Sequence, residues 1–451
     1  MTPAAALILL VLLCVVLAGT RRQALIALIC GVLYVSQAQA INVLGVNFFG
    51  VRFLEVGAIA RVLSRREFFF SNLNTVDRGV LWLYGYTTVV FLLRSPDGLG
   101  SAVAIALDAG FAYFTFRALL QTMEDLRWLL RIFVVVLVPL MLLLVVERKT
   151  GQIPLSFMAG SAGYEGHFVR EGVPRCFGSF RNMDLLGTVG SSFLPLYIAL
   201  VLSKVDRSRA VLGVIFCLSI VVFSNSGGPI GCVGVAFFGW ALWLFRTRMR
   251  LFRWGVVAFF AVLAMIMKAP IWYFLDRVSS VTGGAGWHRS YLIDVAVQHL
   301  RTWWLMGVPI GNTREWFPYT IDVTGGADIT NQYLLFGITG GLGAMSLLIV
   351  LVTRAFSWLG RSLAIARAGG PPFRRLEMML WGLGVMLGVH VVNWFGITYY
   401  DQFYMIWFLQ LAAISTLAGN VLQGPLVRRL QHLSRTRDSD GQAALNSRFA
   451  V

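Results

Sequence analysis

Residues 272–329, in the last third of the chain, combine the residue types that could hold and transfer a phosphorylated group. The stretch is dense in Gly, Trp, His and Arg, and it contains the tetrad Gly286-Trp287-His288-Arg289. On a helical wheel of the segment 289–301, at about 100° per residue, Arg289 falls in the middle of the apolar face. A guanidinium keeps its charge, so Arg289 needs an anionic partner or a path to water. Two interpretations stay open: an anion-binding Arg, or an Arg that snorkels at a membrane boundary.

A second polar stretch, residues 148–181, has the same character, and its Arg, Lys and Glu residues are Arg148, Lys149, Glu165, Arg170, Glu171, Arg175 and Arg181. A planar guanidinium suits bidentate contact with phosphate, and Lys is nearly absent from both stretches. Both stretches also carry flat aromatic side chains, namely Tyr164, Trp287, Trp303, Trp304, Trp316 and Tyr319. These rings could form an aromatic belt at the lipid headgroups or stack on sugar rings. Guanidinium groups beside flat rings at a membrane surface indicate a lipid-linked glycan that carries a diphosphate.

The rest of the chain is apolar enough to be embedded in a membrane. Of its 451 residues 57% are hydrophobic and 13% charged, and the mean hydropathy is +0.73; a soluble protein would have roughly a quarter of its residues charged. We therefore predict an all-α integral membrane protein with about 12–13 transmembrane helices and two long outer-face loops, 148–181 and 272–329. Hydropathy gives about 13 spans, near residues 3–19, 24–41, 45–60, 79–93, 100–117, 129–147, 183–202, 210–225, 229–245, 255–271, 331–353, 377–398 and 403–422.

The basic residues sort the predicted loops by side. The net charge of +17 comes largely from clusters in short loops between apolar runs, as the positive-inside rule requires, which argues against a nucleic-acid surface. The alternation puts those clusters in the cytoplasm, and the N-terminus, both long loops and the 399–402 turn outside. Residues 1–422 are the predicted membrane domain, and the basic tail 423–451 is predicted to be disordered, with at most a role at the lipid surface. Four of the five cysteines lie in apolar runs, so no disulfide framework is expected.

Three segments, in order, resemble the O-antigen ligase and polymerase superfamily. The segment from Arg175 to Gly187 reads RCFGSFRNMDLLG and resembles the family's R-x-x-G-S/T-F-x-N-x-N/D-x-x-G. The segment from Arg289 to Gly311 resembles an element in which an Arg precedes P-L/I-x-G. The segment from Asn331 to Gly343 resembles one that begins H-N-x-x-L and ends G-L. The likeness covers roughly residues 175–345; elsewhere it is one of membrane topology only.

The resemblance implies a fold similar to that of GT-C-type glycosyltransferases and an enzyme of the bacterial cytoplasmic (inner) membrane. Such an enzyme joins undecaprenyl-diphosphate-linked oligosaccharides into an exopolysaccharide or O-antigen at the periplasmic or outer face. Membrane lipid and other polysaccharide assembly proteins are its further expected partners, and nucleic acid is not. Two departures from the family's motifs bear on whether this chain resembles its ligase branch or its polymerase branch. The missing His favours the polymerase branch, and the exact branch stays open. Thr330 stands where the ligases place a His before Asn331, and the segment from Ser224 to Gly228 lacks the Arg of the family's S-R-G tripeptide.

The expected chemistry assigns roles to particular residues. Negative charge grows on the leaving diphosphate, so fixed guanidinium groups can stabilise the transition state, and neither metal nor cofactor is expected. The predicted diphosphate contacts are Arg289, then Arg175 and Arg181; the candidate bases are Asp328, Asp322, His288 and His299. The predicted sugar and substrate contacts are Asn182, Asp184, Trp287, Arg301, Asn331 and Arg52. Arg52 and Glu55 form the clearest charged pair inside a predicted span. His390 and Asn393 share a helix face, and could line the same cavity or bond to each other.

Two alternative functions remain. A ligase would move a finished glycan to another acceptor, such as a lipid. A transporter or flippase, from a different class, would distribute polar residues through many helices, often with inverted repeats or broken helices. The unusual residues here concentrate in the outer loops, which favours the polymerase. Of the charged residues, only Arg52, Glu55 and Asp108 lie clearly inside predicted spans and away from their ends.

Overall fold

The structure, a computed structural model, describes residues 2–36, 40–43, 46–68, 70–94, 99–158, 168–277, 286–317 and 327–424. Asp322, Tyr164, Glu165, Tyr319 and the tail beyond residue 424 lie outside these ranges. The helices are α1 (Pro3–Ala18), α2 (Arg21–Tyr34), α3 (Gly50–Ser64), α4 (Thr75–Arg94), α5 (Leu99–Leu119), α6 (Met123–Thr150), α7 (Met183–Leu202), α8 (Arg207–Ser224), α9 (Gly227–Ala241), α10 (Met249–Ile266), α11 (Gly286–Gln298), α12 (Leu300–Trp303), α13 (Gln332–Ala368), α14 (Arg374–Asn393) and α15 (Phe403–Gln423). Two short antiparallel hairpins join β1 (Ala40–Val43) to β2 (Val46–Phe49) and β3 (Val169–Arg170) to β4 (Val173–Pro174).

The fold is that of an all-α, multi-pass membrane protein. Within the described ranges, eight helices are long and apolar enough to cross a membrane. Every predicted span overlaps a helix. The first three helices hold only 16, 14 and 15 residues, fewer than the roughly 20 that a straight crossing of the hydrocarbon core requires.

Polar side chains at the helix starts explain where several helices begin. Thr20 and Thr122 each open a helix with a reciprocal capping box, to Gln23 and Asp125 respectively. Asn182 and Asn331 accept hydrogen bonds from first-turn amides of α7 and α13.

Helices α7 and α15 lie at the centre of the bundle, since 83% of each apolar window is buried, whereas none of the corresponding window of α10 is buried. Close approach of α7 and α8 depends on small residues. A Cβ at Gly190 would lie 2.4 Å from the carbonyl oxygen of Cys217, so only a glycine allows the two backbones to meet there.

One end of the bundle, the loop end, collects the starts of α7, α9, α13 and α15. The Cys176 amide donates to the Phe223 carbonyl at 2.9 Å, which ties the segment before α7 to the end of α8. The Gln332 amide donates to the Trp394 carbonyl at 2.9 Å and joins the start of α13 to the end of α14. The loop after α6 meets the start of α1 through packing of Leu155 on Ala5. The start of α1 and the residues just after α6 therefore lie at the same end of the bundle.

Helix α13 is interrupted at Gly341, whose φ of 77° and ψ of 175° are not helical. A Cβ there would lie 2.3 Å from the Leu305 carbonyl oxygen, so the residue must be glycine. The segment after α12 satisfies the interrupted backbone: the Val308 amide donates to the Ile338 carbonyl at 2.7 Å, and the Leu342 amide donates to the Trp304 carbonyl at 2.8 Å. Arg94, at the end of α4, donates to the Thr339 carbonyl at 2.5 Å. Such pairing is what allows a non-helical turn at membrane depth.

Candidate active site at the loop end

Arg175 is held by the segment between β4 and α7. The carboxylate of Glu147, near the end of α6, accepts hydrogen bonds from the amides of Phe177 and Gly178 at 2.6 and 3.1 Å. Fixed in this way, the Arg175 guanidinium donates from Nη2 to the Ser226 hydroxyl at 2.5 Å and from Nε to a backbone carbonyl of the same turn at 3.4 Å. Its Nη2 also lies 3.5 Å from Oδ1 of Asp184. The loop and the turn between α8 and α9 therefore position Arg175 together.

Asn182 and Asp184 lie at the start of α7 and have different roles. The Asn182 side chain accepts the Asp184 amide at 2.7 Å and caps the helix, which is a structural role. The Asp184 carboxylate, 29% exposed, lies beside Arg175 and close enough to Arg289 to act on it electrostatically. Of these two predicted sugar contacts, only Asp184 faces the guanidinium groups.

Arg289 lies in a niche whose walls are glycines. It is part of α11, and its guanidinium packs on the backbone of Gly396: a Cβ at that position would be 2.9 Å from Cζ and 3.0 Å from Nη2. A Cβ at Gly228, at the start of α9, would lie 3.8 Å from Nη2 on another side. Arg289, predicted as the first diphosphate contact, is thus brought to Asp184, the neighbour of Arg175.

Arg170 joins the same group. Its Nη1 donates to the Asn225 carbonyl at 3.4 Å, in the turn that also binds Arg175. We call Arg170, Arg175, Arg289 and Asp184 the arginine cluster. The starts of α7 and α9 adjoin it, and the amides at helix starts add positive potential there.

The electrostatics of the arginine cluster favour an anion. Burial lowers the pKa of both Arg175 and Arg289; nearby Asp184 raises each pKa, and like-charged Arg170 lowers each. The guanidinium groups keep their charge at neutral pH because the ordinary Arg pKa is above about 12. Neighbouring positive charges in a partly buried place repel one another, and a bound anion would relieve that repulsion.

His288 is the candidate base that the structure places next to Arg289. Burial lowers its pKa, and the positive charge of Arg289 lowers it further, so the imidazole is neutral at pH 7. Its Nε2 is buried, and no hydrogen-bond partner for it occurs in the described part of the chain. Trp287 beside it is 56% exposed, with its ring centroid 5.8 Å from that of Tyr291. A neutral imidazole with an unbonded nitrogen can accept a proton.

Several predicted site residues lie elsewhere. Arg181 forms a bidentate ion pair with Asp401, with Nε and Nη2 at 2.8 and 3.1 Å from the carboxylate oxygens. His299 stacks on Trp316 with ring centroids 4.5 Å apart and donates from Nδ1 to the Val295 carbonyl, as a structural His does.

The other predicted site residues are Asn331, Arg301 and Asp328. Asn331 is the buried cap of α13 and accepts the Leu334 amide at 3.1 Å. Arg301 is exposed near the start of α12. The carbonyl oxygen of Asp328, a candidate base, accepts the amide of Thr330 at 3.2 Å.

Arg52 and Glu55, the predicted charged pair, act on each other electrostatically, but the bidentate partner of Arg52 is another carboxylate. Arg52 forms a bidentate pair with Asp108 of α5, at 2.8 and 2.7 Å. Spacing along one helix indicated a shared face, but it could not show that a carboxylate from another helix reaches the guanidinium with better geometry. Glu55 is 2% exposed, and Oε1 makes no hydrogen bond among the described atoms.

His390 and Asn393, both on α14, are joined through a third side chain. Both meet the hydroxyl of Tyr399: Asn393 Nδ2 donates to it at 3.4 Å, and the hydroxyl lies 2.6 Å from His390 Nδ1. His390 Nε2 donates to the side-chain carbonyl of Gln410. This buried network joins α14 to the turn that carries Asp401.

Sequence reasoning missed Ser226, Gly228 and Gly396 as parts of the site. The turn from Ser224 to Gly228 stood out only for lacking an Arg, yet its oxygens bind Arg170 and Arg175. Nothing in the sequence near Gly396 indicated that it packs on Arg289. Asp108 was seen as a charge within a span, without its partner.

In the described part of the chain, no group of three or more His, Cys, Asp and Glu side chains is arranged to hold a metal ion. No protein-family model matches this sequence, and no curated protein matches it.

Proposed function

We propose that this protein is a membrane-embedded polymerase that joins lipid-diphosphate-linked oligosaccharide repeat units. The observation that carries the proposal is the arginine cluster, where Arg175 and Arg289 flank Asp184 at the start of α7. Guanidinium groups held by surrounding backbone and hydroxyls suit a diphosphate, whose charge they can match in bidentate fashion. The ordered sequence motifs support the same class of substrate.

In the proposed reaction a glycosidic bond is exchanged for another. The bond between the donor sugar and the lipid diphosphate breaks, and the diphosphate leaves with the electron pair. A hydroxyl oxygen of the acceptor sugar forms the new bond to the same carbon, and its proton passes to Nε2 of His288. Negative charge grows on the leaving group in the transition state. Arg289 and Arg175 therefore stabilise the transition state more than the ground state, which lowers the barrier.

The proposal includes a location and a topology. The chain crosses the cytoplasmic membrane about 12–13 times in a GT-C-like arrangement, with the loop end at the periplasmic or outer face. The positive-inside distribution of Arg and Lys supports this orientation. Undecaprenyl diphosphate is the proposed carrier.

The test uses purified protein in detergent with an undecaprenyl-diphosphate-linked oligosaccharide, with EDTA present, and products resolved by gel and mass spectrometry. The proposal expects a ladder of longer products. Arg289→Ala abolishes the ladder while protein level and membrane insertion persist. Arg289→Lys restores little, because an ammonium cannot make the bidentate contact. Transfer to a lipid A core acceptor without a ladder would identify a ligase instead, and a fully active Arg289→Lys would remove the argument from guanidinium geometry.

A transporter is the second candidate, and two observations favour it. Helix α13 is broken at Gly341, and the Arg52–Asp108 pair lies within the bundle. Broken helices and internal charges are common at substrate sites of transporters. Movement of the lipid-linked substrate across a reconstituted bilayer, with no longer products, would favour this candidate over the polymerase.

A further inference from the structure

A cavity of about 290 Å³ opens among α3, α4, α5, α13 and α15. Its position is at the loop end, since its lining includes Gln332 at the start of α13 and the turn from Tyr399 to Asp401. Aromatic rings form much of the wall: Phe49, Tyr84, Phe91, Phe336, Tyr399, Tyr400, Tyr404 and Phe408. The volume is at the lower end of the range for ligand pockets, about 300 Å³. One small ligand, such as a sugar ring, is the size that fits.

The charges that line the cavity are balanced, unlike those of the arginine cluster. Arg52 and Asp108 form their bidentate pair in its wall, with side chains 14% and 18% exposed. Asp401 also lines the cavity, and Arg181 neutralises it through two contacts. A site with paired charges has no electrostatic preference for an ion, so its ligand is expected to be neutral.

Two other occupants fit less well. An acyl chain would cover the Arg52–Asp108 pair and remove its water without giving hydrogen bonds in return, which is unfavourable. A phosphate would meet two carboxylates, while both guanidinium groups already hold bidentate partners. A neutral polyhydroxylated ring has neither difficulty. Its hydroxyls can donate to remaining carboxylate lone pairs, and its apolar face can pack on an aromatic ring.

The hydroxyl of Tyr404 supplies a further polar group at the cavity. This hydroxyl is beside the Glu55 carboxylate but makes no hydrogen bond of ordinary geometry among the described atoms. Buried hydroxyls are normally satisfied, and a ligand hydroxyl in the cavity would satisfy this one.

We propose that this cavity binds a neutral saccharide, one sugar of the acceptor glycan. The role as acceptor site rests on the proposed function; the binding itself does not. The two sites then divide the substrates by charge, with the diphosphate of the donor at the arginine cluster and a neutral sugar in the cavity.

The test places the protein in lipid nanodiscs, which avoids sugar-headed detergents, and applies it to an array of neutral mono- and disaccharides. Retention of a neutral saccharide by the wild type is expected. Tyr404→Phe should lower its affinity about fivefold, the loss of one neutral hydrogen bond, with no loss of thermal stability. Ile105→Trp, which fills the cavity from α5, should abolish retention. Val103→Trp is the matched control on the same helix, because Val103 is 38% exposed and outside the lining.

Three results would overturn the proposal of a saccharide site, and each can be told apart from a failure of the polymerase proposal. No retained saccharide in the wild type, or equal retention by Ile105→Trp, overturns the proposal. So does a co-purified phospholipid that mass spectrometry finds in the wild type and not in Ile105→Trp, because it identifies an acyl chain as occupant. The ladder assay, run in parallel, separates this proposal from the polymerase: a ladder without saccharide retention overturns only the cavity site. Saccharide retention without a ladder supports the binding site and overturns only the proposed function.

Discussion

Substitution of Gly396 by Ala tests whether the position of the Arg289 guanidinium matters. The new Cβ would lie 2.9 Å from Cζ, 3.0 Å from Nη2 and 3.2 Å from Nε of Arg289. Ordinary contacts between such atoms begin at about 3.5 Å, so the guanidinium must shift by several tenths of an ångström to about 1 Å. The end of a flexible side chain can make this shift at small cost, and we therefore expect the fold to persist.

The expected loss is in activity. A misplacement of about 1 Å in a catalytic group can lower the rate about a hundredfold, and we expect a loss of ten- to a hundredfold in the initial rate of ladder formation. This corresponds to about 1.4 to 2.7 kcal/mol of transition-state stabilisation. Thermal unfolding in detergent should be within about 2 °C of the wild type, since a few tenths of a kcal/mol is the only cost expected.

Two glycine substitutions serve as controls. Gly228→Ala places a Cβ 3.8 Å from Nη2 of the same guanidinium, an ordinary contact, and Gly388→Ala meets nothing within 4 Å. Both should retain the wild-type rate within about threefold, because neither forces Arg289 to move. A wild-type rate for Gly396→Ala, in a protein that Arg289→Ala inactivates, would refute the reasoning that this niche sets the reactive geometry.

Three further predictions concern the residues around the site. Because the pKa of His288 is lowered, the imidazole stays neutral as pH falls toward the ordinary His pKa of about 6.5. The rate of the wild type should therefore fall only below that pH. His288→Gln should have low activity at every pH, and its rate should not show the decrease at acidic pH that protonation of His288 causes in the wild type. The stability of the fold should depend on pH in the same direction. The contribution of neutral His288 to stability is complete above about pH 6.5 and is lost as pH falls below that value. Asp401→Asn removes the carboxylate that pairs with Arg181. The free energy of unfolding, measured in detergent, should fall by about 2 kcal/mol. This loss is smaller than that for a fully buried pair because the Arg181 side chain is 19% exposed. Thr330→Ala should keep most of the ladder activity; an inactive variant would show that the departure from the ligase motif was misread.

The helical plan could be predicted because each part of it depends on local sequence. Apolar length marks the spans. The capping roles of Asn182 and Asn331, which were predicted as substrate contacts, come from the structure alone. Arg175 and Asp184 belong to one continuous segment, so their proximity follows from the start of α7. Arg289, more than a hundred residues later in the sequence, was placed with them by the order of motifs.

The partners of the charged residues could not be predicted, because they depend on how helices pack. Arg52 was assigned to Glu55 three residues away, yet Asp108 on a neighbouring helix is its bidentate partner. Arg181 was grouped with Arg175, six residues before it, but the chain turns at Gly178, which has a φ of 60°, and Arg181 faces Asp401. Adjacency along a loop gives little information about direction once a left-handed residue intervenes.

If both proposals hold, substitutions at the arginine cluster and in the cavity should affect different properties of the enzyme, because the charges of the two sites differ. In the proposed function the arginine cluster binds the diphosphate through guanidinium groups, so its interaction with the donor should be independent of the sugar. The cavity, with Arg52 and Asp401 each paired, can select a ligand by hydroxyl geometry. Changes at the arginine cluster should therefore lower turnover with every donor, because charge develops there in the transition state. Changes in the cavity should alter which acceptor is used, since leaving a buried polar group unsatisfied discriminates between sugars that differ by a single hydroxyl.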